Sequence, residues 1–166
     1  MTSDEVLEKL LRSYRDYYNI NTEDPLEPFA AEAVFSSHEE GYWLFKKAKT
    51  SEADSHEYVY FYTAGHITLE DVKKLESVSW EDGMSRVRPN STHRNSDVAL
   101  ILIGEEIDDD AFEAVKKMSN YKSYKWRFNG WSDFRSGALD ISRKRFTCNR
   151  KGDNMKKMLK ALVNNL

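Results

Sequence analysis

Cysteine is nearly missing from this chain: Cys148 stands alone among 166 residues. One thiol excludes an intrachain disulfide, and a zinc site built from cysteines would need more than one copy of the chain. Long apolar runs are missing too. The longest, Val98 to Ile103, has six residues, against the roughly 20 that a membrane-spanning helix needs. The start, Met1-Thr-Ser-Asp-Glu5, lacks the basic and apolar segments of a secretion signal. These absences lead to the expectation of a cytoplasmic protein with no membrane partner.

Several strong motifs are absent as well. There is no G-x-x-x-x-G-K-S/T phosphate loop, no G-x-G-x-x-G, no H-E-x-x-H and no G-x-S-x-G. No repeat, low-complexity stretch or linker divides the chain, and its length suits one domain over residues 1–166.

What the chain does have is aromatic and charged. Apolar residues make up 40%, enough for a core, and aromatics 13%, with nine Tyr, eight Phe and four Trp. Tyr and Trp bury area but need a partner for their OH or NH. The net charge of −3 hides an asymmetry. Residues 1–120 hold 13 Lys and Arg against 25 Asp and Glu, a balance of −12. Residues 121–166 hold 12 against 3, a balance of +9. Either the two parts neutralise each other internally, or the basic part serves an anionic partner.

Periodicity predicts an α+β fold, one mixed, largely antiparallel sheet with helices packed on it, in the order α-β-β-β-α-β-α-β-β-α. Thr2-Ser-Asp-Glu5 has capping-box spacing, and Val6, Leu7, Leu10, Leu11, Tyr14 and Tyr18 follow as a helical stripe. Asn19 to Pro28 reads as a loop. Phe29 to Phe35, Tyr42 to Lys47 and Glu57 to Thr63 read as strands, and their short connections favour an antiparallel meander. Thr68 caps a helix through Asp71, Gly83 closes that region, and Ser85 to Arg88 reads as a short strand. Val98 to Ile103 has the continuous apolar character of a strand buried on both faces. Asp108 caps a helix reaching about Met118. Tyr121 to Phe128 reads as a strand, Gly130-Trp131 breaks it, and Arg135 to Ile141 returns antiparallel. Arg143-Lys144 is a turn, Arg145 to Cys148 a short strand, and Met155, Met158, Leu159, Leu162 and Val163 mark a C-terminal helix.

The candidate chemistry is sparse. His38-Glu39-Glu40 and His56-Glu57 each set an imidazole beside carboxylates, so His38, Glu40, His56 and Glu57 would hold a divalent metal if the meander joined them. Solvation of turns explains the same residues without a metal. Otherwise no cofactor is expected. Cys148 is expected to be a buried, structural residue.

The sharper pattern is Tyr121-Lys-Ser-Tyr-Lys-Trp-Arg-Phe-Asn-Gly-Trp131. Alternation along a strand sends Tyr124, Trp126 and Phe128 to one side, expected to be core. Tyr121, Lys125, Arg127 and Asn129 go to the other. Basic groups beside aromatic faces suit phosphate contact with base stacking, although a solvated outer sheet face has the same pattern. With Trp131, Arg135, Arg143, Lys144, Arg145 and Lys151, the row would make a contiguous basic-aromatic face over 121–151. The function expected is a non-catalytic binding module for nucleic acid, a nucleotide or another anionic ligand. Self-association through exposed aromatics, giving a homo-oligomer, is an alternative.

The runner-up to the binding module, ahead of self-association, comes from resemblance. The order α-β-β-β-α-β resembles the core of restriction-endonuclease-like nucleases, which implies metal-dependent nuclease activity. That family sets an acid on the second strand and acid-x-Lys on the third. Here the third strand reads His56-Glu57-Tyr58-Val59, with Val59 at the lysine position, and Asp71-Val72-Lys73 falls on a helix. A migrated lysine from Lys46, Lys47 or Lys49, with Glu57 or Glu32 as the acid, would be required. Separately, Lys46-Lys-Ala-Lys49, His56-Glu-Tyr-Val-Tyr-Phe61, Gly130-Trp131 and Asn149-Arg-Lys-Gly152 are similar to an uncharacterised prokaryotic family of stand-alone small proteins. That similarity runs from about residue 29 onward and implies a cytosolic protein without indicating its chemistry.

Overall fold

The computed structural model describes residues 1–36, 54–89 and 93–166. The expected strand at Tyr42 to Lys47 lies outside the described residues. Four helices and one mixed seven-stranded sheet make up the described chain, an α+β architecture. The strands are β1 (Asn19–Asn21), β2 (Ala31–Ser36), β3 (Asp54–Ile67), β4 (His93–Ile107), β5 (Tyr121–Ser123), β6 (Trp131–Asp140) and β7 (Arg145–Cys148). The helices are α1 (Ser3–Tyr14), α2 (Leu69–Arg86), α3 (Asp109–Lys117) and α4 (Lys156–Asn164).

The sheet order is β1-β2-β3-β4-β6, and the outer edge of β6 is shared by β5 at its start and β7 at its end. The outer pairings are antiparallel, whereas β3–β4 and β4–β6 are parallel. The physical reason lies in the connections. A parallel neighbour needs a crossover long enough for a helix, and α2 and α3 supply one each.

Val98 to Ile103 is a central stretch with every side chain fully buried. Alternation sends Ala99, Ile101 and Ile103 towards α1 and α4, and Val98, Leu100 and Leu102 towards α2 and α3. The first core joins Val6, Leu10 and Tyr14 of α1 with Leu159 of α4, and the second joins Val72 and Leu75 with Phe112 and Val115. The caps expected at Thr2 and Thr68 are both complete boxes, closed by Glu5 and Asp71. Asp108 holds the N-cap position of α3 without a side-chain cap bond, because its carboxylate meets His66 Nε2 at 2.7 Å.

Three local expectations are corrected. Asn19 to Pro28 contains the edge strand β1. Gly83 does not end α2, and Ser85 to Arg88 is no strand, since the helix continues to Arg86. Glycine is needed there because a Cβ would lie 2.4 Å from Val98 Cγ2, so the residue serves close helix–sheet packing. Finally, Tyr121 to Phe128 is strand only to Ser123.

Candidate nucleic-acid interface

After β5 the chain turns through Lys125, Trp126 and Arg127 with φ of 44°, 54° and 74°, three consecutive residues in the left-handed region. Such residues cost about 1–2 kcal/mol each when they are not glycine. The turn is held from within. Tyr124 N–H donates to Gly130 O at 3.0 Å, Asn129 N–H to Tyr124 O at 3.2 Å, and Gly130 N–H to Arg127 O at 3.0 Å. Gly130, at φ 83°, takes the last left-handed position without that cost. Tyr124 anchors the turn, its hydroxyl 3.0 Å from Ser132 Oγ.

This geometry overturns the expectation that Trp126 and Phe128 belong to the core. They are 93% and 84% exposed, and Tyr121 is 49% exposed. The left-handed run replaces alternation with a helical turn, so both rings project outward. Cations interleave with them. Lys122 Nζ lies 5.5 Å from the Tyr124 ring centre, and the Arg127 guanidinium 4.7 Å from that of Trp131. From Ala114 to Ser132 the chain has five cations, Lys116, Lys117, Lys122, Lys125 and Arg127, and no carboxylate.

The nine residues expected to form one basic-aromatic face divide into two groups. Tyr121, Lys125, Arg127, Trp131, Arg135 and Lys151 lie along or beside the first half of β6. Arg143, Lys144 and Arg145 lie beyond its end, which is about 30 Å from Trp131 and about 16 Å from Arg135 at the usual rise per strand residue. Most of the second group is committed internally. Arg143 and Arg145 each reach Asp109 at 2.9 Å, Arg145 Nε reaches Asp140 at 3.1 Å, and its guanidinium stacks on Phe112. Lys144 is exposed in the turn, at φ 46°.

Arg135 and Lys151 are also paired, Lys151 from an exposed position and Arg135 in a largely buried charge network that spacing did not reveal. Arg135 bridges Glu57 of β3 at 3.1 Å and Asp97 of β4 at 2.7 Å. Tyr18 donates to Glu57 at 3.2 Å, and Lys151 meets Asp133 at 3.3 Å. Burial pushes the Glu57 and Asp97 carboxyls above their ordinary range, while Arg135 pulls both down. The one available signal was an acid set directly before the apolar run, Asp97 before Val98.

The metal candidates are not brought together. His38 and Glu40 lie outside the described residues, as do Lys46, Lys47 and Lys49. His56 and Glu57 are consecutive in β3 and point to opposite faces: the His56 ring stacks with Tyr58, and Glu57 lies under Tyr18. Glu32 and Glu57 are likewise on opposite faces, since Glu32 pairs with Arg86 of α2. Among the described residues, no group of three or more His, Cys, Asp or Glu is placed to hold a metal ion. Cys148 is buried, and burial pushes its thiol up to about 11. Among the described residues no helix is long and apolar enough to cross a membrane.

No curated protein and no solved structure matches the chain. A family model does, over residues 2–161, from the N-cap of α1 into α4, and the chain belongs to that family, the domain of unknown function DUF8052.

Proposed function

We propose that the protein is a non-catalytic binding module for nucleic acid, and that the β5–β6 hairpin is its contact surface. One observation carries the reading: a hairpin turn, free of carboxylates from residue 114 to residue 132, on which exposed aromatics alternate with exposed lysine and arginine. A cation near a phosphate releases condensed counterions, and an aromatic ring accepts a base. The far group supports the assignment by contrast, because the carboxylates of Asp109 and Asp140 already neutralise Arg143 and Arg145.

Labelled oligonucleotides titrated at several salt concentrations test this. Binding in the micromolar range at low salt is expected, with log affinity falling linearly against log salt. Changing Lys122, Lys125 and Arg127 together to Ala should flatten the slope by about 2, the share of three phosphate contacts on a single strand. Lys144→Ala should leave it unchanged. Failure to bind any oligonucleotide at low salt would remove nucleic acid as the partner and leave the charge asymmetry as internal neutralisation.

A further inference from the structure

The hairpin displays its rings in a manner that bears on the kind of nucleic acid it takes. We infer that its ligand is a single strand, with unstacked bases lying on Trp126 and Phe128; this rests on the nucleic-acid reading above. Three observations lead there. The left-handed run at Lys125–Arg127 turns Trp126 and Phe128 outward, at 93% and 84% exposure. Tyr124 and Trp131, by contrast, are half-buried and hold the base of the turn, through Ser132 and under Arg127. The cations also alternate with the rings residue by residue: Lys125, Trp126, Arg127, Phe128.

A duplex keeps its bases paired and stacked, so its edge offers phosphates to the lysines and nothing to a free indole face. A single strand offers a phosphate and a base face in each repeat, the same alternation that the turn presents. Anionic lipid is the other ligand that exposed aromatics with nearby cations could serve. Here the alternation argues against it. Burying Trp126 and Phe128 among acyl chains would carry Arg127, between them, and Lys125, next to Trp126, towards hydrocarbon, where a charged side chain is costly.

The test uses the full chain and an oligothymidylate of about 12 nucleotides, alone and annealed to its complement, followed by anisotropy at one low salt concentration. Single strand should bind more tightly than duplex. Trp126→Ala should lose about ten-fold on the single strand and little on the duplex, as should Phe128→Ala, while Trp126→Phe should keep most of the affinity. Both rings are almost fully exposed, so the variants should melt with the parent, and a melting curve checks this. Equal affinity for both forms, untouched by Trp126→Ala, would overturn the inference and leave a charge-only nucleic-acid module. No binding to either form would defeat the underlying reading as well. Two further outcomes would also overturn the inference: Trp126-dependent sedimentation with phosphatidylserine vesicles but no oligonucleotide binding, and a Trp126-dependent dimer mass in light scattering without it.

Discussion

Asn149 is 2% exposed, yet both ends of its amide are fully used. Its Oδ1 accepts from Ser136 N–H at 3.0 Å and Gly152 N–H at 2.8 Å, and its Nδ2 donates to Met118 O at 2.9 Å and Phe134 O at 2.8 Å. One side chain thereby ties the end of α3, the middle of β6 and the turn leading to α4. Asn149→Ala would take the side-chain partner from one buried N–H, that of Ser136, and from two buried carbonyls, each worth about 1–3 kcal/mol, while Gly152 N–H keeps the Asn149 backbone carbonyl at 3.1 Å. A loss of at least about 3 kcal/mol in denaturant unfolding is expected. A loss near zero would mean that water enters and replaces the amide. Asn149 begins the stretch Asn149-Arg-Lys-Gly152, similar to an uncharacterised family, so that segment acquires a structural meaning. Cys148 beside it is buried in the first core, and its raised thiol suits a small apolar filler.

At the scale of the element, β4 is the clearest test of the fold. Leu100 is fully buried and packs against α2 and α3. Leu100→Asp puts an unpaired carboxylate there, at a cost comparable with the whole stability of a small domain. The variant should be unfolded by circular dichroism, and a soluble variant with the parental melting temperature would contradict the packing. This strand was legible because a continuous apolar run has few alternatives. The helices were legible for a related reason: a capping box and a stripe at spacings of three and four are local signals. β7 also matches its expected bounds, Arg145 to Cys148. The parallel direction of β3, β4 and β6 was not legible, since it depends on which strands become neighbours across the helices. The tip of the β5–β6 hairpin was misread because period-two alternation was extended through residues that leave the strand at Tyr124. Asn129-Gly130, a turn-forming pair, was the sequence feature that argued for a turn there.

At the scale of the whole molecule, the charge asymmetry resolves into two parts. Some of the basic C-terminal third is neutralised by acids of the preceding elements: Asp97, Glu57 and Asp109 receive Arg135, Arg143 and Arg145. Of the rest, Lys122, Lys125 and Arg127 stand on the hairpin, while Lys144, Arg150, Lys151, Lys156, Lys157 and Lys160 lie beyond β6. The chemistry-bearing residues were therefore only half legible, because composition shows an excess of cations but not which of them fold back onto carboxylates. The expected kinship to an uncharacterised family holds, over residues 2–161 and not only from about residue 29 onward.

The buried network also sets a pH dependence. Burial raises Glu57 from its ordinary 4.5. The folded state then holds this proton more tightly than the unfolded chain, so the contribution to stability is fully present at low pH and is lost as pH rises through the raised value. In Glu57→Gln that dependence is gone. The parent's stability relative to the variant should fall as pH climbs above 4.5, by at most about 1.4 kcal/mol per unit. A difference that grows with pH would show that pairing with Arg135 outweighs burial.

The central claim is that nucleic acid meets the β5–β6 hairpin and not the Arg143–Arg145 end of the sheet. Backbone amide shifts followed by NMR during titration with a short single-stranded oligonucleotide test it most directly. The largest changes should fall within residues 119–132, with the indole N–H of Trp126 among them and Arg143 to Arg145 unmoved. Changes concentrated at Arg143 to Arg145, with the hairpin silent, would contradict the claim.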